Sequence, residues 1–262
     1  MWGRALLFQC GNAVRQIFKK VCNWGKRGAD MKDTKSWAGT FLLAILAGIG
    51  IALGCTIYLS SKDPVMGAFL FSFGLMTICA FGWKLFTGQV GYVSYLNMNH
   101  WIFLLLVWCG NYTGTFLTST LLSFTRHGQK LQEKAIQITQ AKLDDTYLSL
   151  FLLAIFCGML MFIAVDGFKN NPHSVGKYLG VIFSVMLFIL CGFEHCVANM
   201  FYFLMAGMTT KSMICILVMS VGNAVGGAGL SAAMSWVRRA AEPPKKEEPT
   251  DAACVSVETM VH

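Results

Sequence analysis

Long apolar stretches separated by short polar segments make up most of the chain. Six such stretches lie near residues 37–60, 65–83, 101–123, 147–168, 175–209 and 212–236. A helix needs about 20 consecutive apolar residues to cross a bilayer, and each stretch is close to that length or longer. The pattern therefore predicts an all-α membrane protein with six transmembrane helices.

The apolar pattern returns after about 110 residues. FLLAILAG at 41–48 is followed by FLLAIFCG at 151–158, and a Gly-Asn-x-x-Gly motif at 110–114 reappears at 222–226. Because each unit holds three spans, the second unit starts on the opposite face of the membrane and runs inverted. We therefore predict a 3+3 inverted repeat, an architecture typical of channels and secondary transporters.

The second apolar segment of each unit is interrupted by ionisable and turn-forming residues. They are Gly82, Lys84, Thr87, Gly88 and Gly91 in the first unit, and Gly192, Glu194 and His195 in the second. Non-helical backbone at membrane depth must be buried in protein or face water, since lipid cannot satisfy its polar groups. We expect two broken helices that meet and line one pathway.

Charge divides the chain into three regions. Hydrophobic residues make up 55% and charged residues 13%, against about 25% charged in soluble domains. Residues 1–36 hold eight Lys and Arg and are predicted to form a cytosolic basic segment with an interfacial helix, or a floppy basic arm. Residues 37–236 form the channel domain, and 237–262 a disordered cytosolic tail. The positive-inside rule places both termini in the cytoplasm.

The segment 124–146 conflicts with this orientation. It is predicted to be an outer loop, yet it carries four basic residues: Arg126, Lys130, Lys134 and Lys142. A basic outer loop indicates attraction of anions to the protein surface.

The string FEHCVANMF at 193–201 carries the strongest chemical signal. Ionisable residues in mid-membrane are costly and mark functional sites. An imidazole at His195 can donate a hydrogen bond to a small anion and can carry a proton, while Glu194 is a candidate tether for the opposite break. The alternative is a structural pair, with His195 capping freed backbone groups.

The opposite break offers an anion site of its own. Thr87 and Gly88 supply a hydroxyl and exposed backbone N–H groups, which together can form an anion-binding nest. Phe71, Leu75 and Phe188 flank the polar station and are candidates for hydrophobic gates. Ordinary packing is the alternative for each of them.

The FEHxVANMF string, the LFTG loop at 85–88 and the GNAVGG motif at 222–227 resemble the formate/nitrite transporter family over residues 10–236. The resemblance implies an aquaporin-like six-helix protomer with its own pore, five protomers in a ring, and passage of small monovalent anions or their acids. Formate, acetate, lactate, nitrite and hydrosulfide are the implied substrates.

The resemblance also implies roles for single residues. His195 matches a central pore histidine, and Thr87 matches its hydroxyl partner. Phe71 and Phe188 match an outer constriction, and Leu75 and Leu85 an inner one. Lys142 matches a vestibule lysine. Asn199 lies in the same signature string as His195 and joins the candidate pore residues.

Four positions depart from the pattern of the family. It usually has Glu at Lys84, Asn at Gln89, Asn at Gly158 and Trp at Asp166. Lys84 could attract anions from inside, pair with a carboxylate such as Glu194, or extend to the membrane interface. Asp166 is interpreted as a solvated residue near the outer end of the fourth span.

The sequence thus predicts a pentameric channel or proton-coupled transporter for small monovalent anions in the plasma membrane, with no cofactor, metal or nucleic-acid partner. A neutral-solute pore of aquaporin type is disfavoured because neither break contains proline. A membrane enzyme using Glu194, His195 and Lys84 lacks a metal cluster or nucleotide loop in its support. A structural or signalling protein acting through the tail has no clear motif.

Overall fold

The structure, a computed structural model, describes residues 37–92 and 98–241. The predicted interfacial helix within 1–36 lies outside the described residues. Most of the predicted tail lies outside them as well, because the description ends at Ala241.

The described residues of the first unit form four helices and a short 3-10 turn. They are α1 (Trp37–Ser60), α2 (Pro64–Phe81), α3 (Phe86–Gln89), the 3-10 turn Val90–Tyr92, and α4 (Met98–Ser123). The remaining helices are α5 (Gly128–Leu143), α6 (Tyr147–Asn170), α7 (Ser174–Leu190), α8 (Cys196–Ala206) and α9 (Thr210–Ala241).

Five of the described helices are long and apolar enough to cross a membrane, namely α1, α2, α4, α6 and α9. Two shorter apolar helices, α7 with 17 residues and α8 with 11, follow one another in the second unit. The protein is therefore an all-helical membrane protein. The expected count of six spans depends on how the interrupted segments are joined and stays a prediction.

Glycines set the close packing of α1 on α4 and of α6 on α9. A Cβ atom added at Gly114 would collide with the backbone carbonyl of Ile45, and one added at Gly226 with that of Ile155. Small residues at such contacts let helix backbones approach closely in a membrane. The two helix pairs thus use the same device, at positions about 110 residues apart.

The segment 124–146 is mainly helical rather than a loop. Leu131, Ala135 and Thr139 follow a four-residue spacing and form the buried face of α5, which packs on α8. The prediction of a loop was wrong because this four-residue spacing lets a short, mostly polar segment bury one face as an amphipathic helix.

Candidate functional site

The chain leaves α2 and α7 through the same backbone turn. Gly82 and Gly192 have φ values of 69° and 68°, in the left-handed region that glycine adopts at low cost. The N–H of Trp83 then donates to the carbonyl of Ile78 at 3.0 Å. In the second unit, the N–H of Phe193 donates to the carbonyl of Phe188 at 2.8 Å.

A buried asparagine from α4 holds the first break. Asn111 is fully buried, and its Oδ1 accepts the N–H of Phe86 at 2.8 Å. Its Nδ2 donates to the carbonyls of Ala44 at 2.8 Å and Lys84 at 2.9 Å. One side chain therefore satisfies two backbone groups that the interruption leaves free at membrane depth and ties them to α1 through the carbonyl of Ala44.

Asn223 from α9 does the same for the second break. Its Oδ1 accepts the N–H of Cys196 at 2.9 Å, and its Nδ2 donates to the carbonyls of Ala154 and Glu194 at 2.8 Å. The Gly-Asn motif at 110–114 and 222–226 predicted the repeat but not the role of its asparagines. A polar residue repeated within otherwise apolar spans was the available signal.

The two breaks meet through His195 and Thr87. The Nε2 atom of His195 lies 3.0 Å from Oγ1 of Thr87, and both residues are almost fully buried. The N–H of Ala198 donates to Nδ1 of His195 at 3.1 Å, which caps α8. A neutral ring with Nδ1 as acceptor carries its proton on Nε2 and donates to Thr87, which leaves the threonine hydroxyl proton for another acceptor.

Two phenylalanine rings pack next to the pair of Thr87 and His195. The ring of Phe188 stacks on His195 with centroids 5.6 Å apart, and Phe71 meets Phe188 edge-on at 5.8 Å. Leu75 and Leu85, the predicted inner constriction, are each 1% exposed within the same core.

Glu194 binds Lys142 and Asn199. The Nζ atom of Lys142 lies 2.7 and 2.6 Å from the two carboxylate oxygens of Glu194, and Nδ2 of Asn199 donates to one of them at 2.7 Å. The side chains of Lys142 and Glu194 are 16% and 5% exposed. The last turn of α5 places Lys142 against the second break, so its charge is paired rather than free in a vestibule.

This pairing corrects two further expectations. Glu194 does not tether the opposite break, because Asn111 performs that task. Glu194 does not pair with Lys84 either, since both of its oxygens are engaged by Lys142. The half-buried side chain of Lys84 makes no hydrogen bond or ion pair with any residue that the structure describes.

Asn199 carries an unpaired acceptor. Its Nδ2 donates to the carboxylate of Glu194 and to the carbonyl of His195 at 3.0 Å, so a flipped amide would place oxygen against two acceptors. Its Oδ1 is buried and has no partner among the described residues. A buried acceptor of this kind is expected to receive a donor such as water.

Asp166 lies in the last turns of α6, and the prediction that this is the outer end of the span stays a prediction. Its carboxylate accepts the hydroxyl of Tyr92 at 2.9 Å and the amide of Asn170 at 2.8 Å. It also lies 3.7 Å from the guanidinium of Arg238. Asp166 therefore joins α6, the 3-10 turn and α9 instead of being a solvated helix end.

The fold and the site together define a polytopic helical membrane protein in which two interrupted segments bring polar side chains together inside the molecule. The sequence model described as "Formate/nitrite transporter" matches residues 15–237. The chain therefore belongs to the formate/nitrite transporter family.

Relatives of known identity are channels and transporters rather than enzymes. The chain is 28% identical over 207 residues to formate channel FocB of Escherichia coli (strain K12), covering 71% of this chain and 73% of that one. It is 30% identical over 227 residues to uncharacterized transporter YrhG of Bacillus subtilis (strain 168), covering 76% and 85%. A solved pentameric formate channel with formate bound superposes with a TM-score of 0.69 at 25% identity, covering 79% and 99%.

Proposed function

We propose that the protein is a channel or proton-coupled transporter for small monovalent anions and their weak acids. Formate, acetate and lactate are the proposed substrates, with nitrite and hydrosulfide as further candidates. The observation that carries the proposal is the 3.0 Å contact between Thr87 and His195. It joins the two breaks, and the aromatic rings of Phe71 and Phe188 lie on its apolar side.

The proposed architecture is an aquaporin-like protomer of six spans in a 3+3 inverted repeat. In it, α2 with α3 and α7 with α8 form the two interrupted spans, and α1, α4, α6 and α9 form the other four. The matching asparagine networks of the two units support this division. Residues 37–236 would then form one channel domain.

In this account an anion loses water as it passes the aromatic rings and reaches Thr87 and His195. The hydroxyl of Thr87, polarised by the ring N–H, donates to the anion and replaces part of its hydration. Adding a second proton to His195 would cost the hydrogen bond from Ala198 to Nδ1. This bond therefore favours a role for His195 as a hydrogen-bond donor rather than as a proton carrier. In this role, the proton that forms the weak acid comes from water.

The remaining candidate residues support this station. Lys142 neutralises Glu194 and fixes it beside His195. The free Oδ1 of Asn199 offers an acceptor for water or for the hydroxyl of an undissociated acid. We propose that Lys84, on the first break, attracts anions from the cytoplasmic side.

We further propose a homopentamer in the plasma membrane, with a pore in each protomer and both termini in the cytoplasm. The pentameric formate channel with a similar fold supports the assembly. The eight basic residues of the segment 1–36 support the orientation.

Reconstitution in liposomes tests the function. Fluxes of formate, acetate, lactate, nitrite and hydrosulfide would be compared at two pH values, with protein-free liposomes as the control for leakage of the neutral acids. We expect formate flux well above the control and a dependence on pH if protons accompany the anion. Fluxes equal to the control for all five solutes would contradict the proposal.

A further inference from the structure

Lys84 and Glu194 occupy equivalent places in the two units. Both backbone N–H groups bond to α1 or α6, Lys84 to the carbonyl of Leu43 at 3.3 Å and Glu194 to that of Leu153 at 3.4 Å. Both carbonyls accept the amide of the buried asparagine of their unit. The two side chains therefore leave the same backbone framework, at positions 110 residues apart.

The side chains differ in sign and in their partners. The carboxylate of Glu194 is bound by the ammonium of Lys142 and by the amide of Asn199, five residues further along. Five residues after Lys84 stands Gln89, another carboxamide. Within residues 37–92 and 98–241, neither Lys84 nor Gln89 has a hydrogen bond or ion pair from its side chain. The second unit thus holds a complete carboxylate site, and the first holds an ammonium and an amide without a carboxylate.

The surroundings of Lys84 add positive charge. The ammonium of Lys169 lies 3.7 Å from the ring centroid of Tyr92, which stands three residues after Gln89 in the first unit. Asp166 is the nearby carboxylate, and it is already shared with Tyr92, Asn170 and Arg238. Lys169 therefore adds a positive charge to the unit that carries Lys84 and Gln89, and positive charge of this kind attracts a small anion.

We propose that Lys84, Gln89 and Lys169 form a second anion-binding site, which takes the carboxylate of a small monovalent solute. Lys84 and Gln89 would hold that carboxylate as Lys142 and Asn199 hold the side chain of Glu194. The site rests on the proposed function, because it adds a station to the same pathway. Lys84 and Gln89 lie three residues before and two residues after Thr87 in the first break, and Lys169 lies in the last turn of α6.

Trp83 is half-buried and next to Lys84 in the chain. Its fluorescence can therefore report anion binding at the site without a transport assay. Iodide, a monovalent anion, and acrylamide, a neutral solute, both quench tryptophan fluorescence. The purified protein in phosphatidylcholine liposomes would be titrated with each, and Trp83→Phe would identify the contribution of this ring. One charge about 10 Å away changes the local iodide concentration roughly twofold.

Lys84→Gln should therefore lower the iodide quenching of Trp83 about twofold while acrylamide quenching stays unchanged. Lys84→Arg should retain the wild-type ratio, because the charge is kept. Lys62→Gln, an exposed lysine at the α5 end, is the matched control and should also match wild type. An iodide-to-acrylamide ratio that Lys84→Gln leaves unchanged would overturn the site.

A phospholipid headgroup carries the same anionic chemistry, so a second set of liposomes contains an anionic phospholipid. Iodide quenching of Trp83 that stays sensitive to Lys84→Gln there supports a solute site. Loss of that sensitivity would assign the residues to the headgroup and overturn the proposal. Added formate should also compete with iodide in the phosphatidylcholine liposomes, and failure to compete would count against a carboxylate ligand.

These outcomes are independent of the transport assay. If formate flux fails but the quenching result holds, the proposed function is wrong and the anion site stands. If flux is present but Lys84→Gln quenches like wild type, the second site is wrong and the proposed function stands.

Discussion

The two interrupted segments share a backbone and differ in their side chains. Each break turns at a glycine with positive φ and is held by one buried asparagine through three hydrogen bonds. At the equivalent positions after that turn stand Lys84 in one segment and Glu194 in the other. The asparagines therefore set the shape of the breaks, while the residues carried on the breaks set the chemistry.

The two segments also differ in how completely their polar groups are satisfied. Glu194 is enclosed by Lys142 and Asn199, so the second segment is a nearly closed network. Lys84 and Gln89 point from the first segment without partners among the described residues. A closed network is expected to stabilise the fold, and an open one to bind a solute.

Removing the buried asparagines is expected to have the largest effect. Asn111→Leu or Asn223→Leu removes three hydrogen bonds and leaves one N–H and one carbonyl of the break without this partner, at roughly 1–3 kcal/mol for each unpaired group. Both variants should therefore lose most of their folded protein, measured by size-exclusion chromatography and thermal unfolding in detergent. If one unit tolerates the change and the other does not, the breaks are not equivalent.

Lys142→Gln comes next, because it leaves the buried carboxylate of Glu194 without a counter-charge. Removing one partner of a buried pair costs about 3–5 kcal/mol, and Lys142→Gln with Glu194→Gln should recover most of the stability. The loss of formate flux should be the same at low and high salt, since a paired, buried charge is little screened. A loss that shrinks as salt is raised would restore the vestibule role predicted from the sequence.

Removing the aromatic rings next to His195 should change the selectivity for anions more than the stability of the protein. Phe71→Ala with Phe188→Ala removes the rings beside His195, so the flux of lactate relative to formate should rise. Phe69→Ala, an exposed phenylalanine on the same helix, is the control for folding and for lipid contact. Unchanged relative fluxes in a folded double variant would leave these rings a packing role only.

The smallest effect is expected at the ion pair of Asp166 and Arg238. The pair is 3.7 Å long and the Arg238 side chain is 64% exposed, so Arg238→Gln should cost below about 1 kcal/mol. Thermal unfolding of Arg238→Gln and of Lys142→Gln compares the stability lost from an exposed ion pair with that lost from a buried one. Equal losses would contradict it.

Local patterns predicted much of the fold. The bounds of α1, residues 37–60, follow from apolar length alone, and the turns at Gly82 and Gly192 follow from glycine next to ionisable residues. The proximity of Thr87 and His195 agrees with the expectation from the internal repeat that the two breaks meet.

Long-range pairings could not be predicted in the same way. The contact of Lys142 with Glu194 depends on how α5 lies on α8, and no spacing in the sequence encodes that placement. The unpaired oxygen of Asn199 depends on which of its two amide atoms faces Glu194. Both features require the packed positions of several elements, which the periodicity of any one element does not supply.

The most direct measurement of the central claim is formate flux through two His195 variants in liposomes. His195→Asn keeps a side-chain cap and a hydrogen-bond donor, so a substantial flux should survive. His195→Phe removes the donor to Thr87 and should nearly abolish flux at every pH from about 5 to 8, in a protein that still folds. Wild-type formate flux through a folded His195→Phe protein across that range would show that the contact between the two breaks is structural, and would contradict the account.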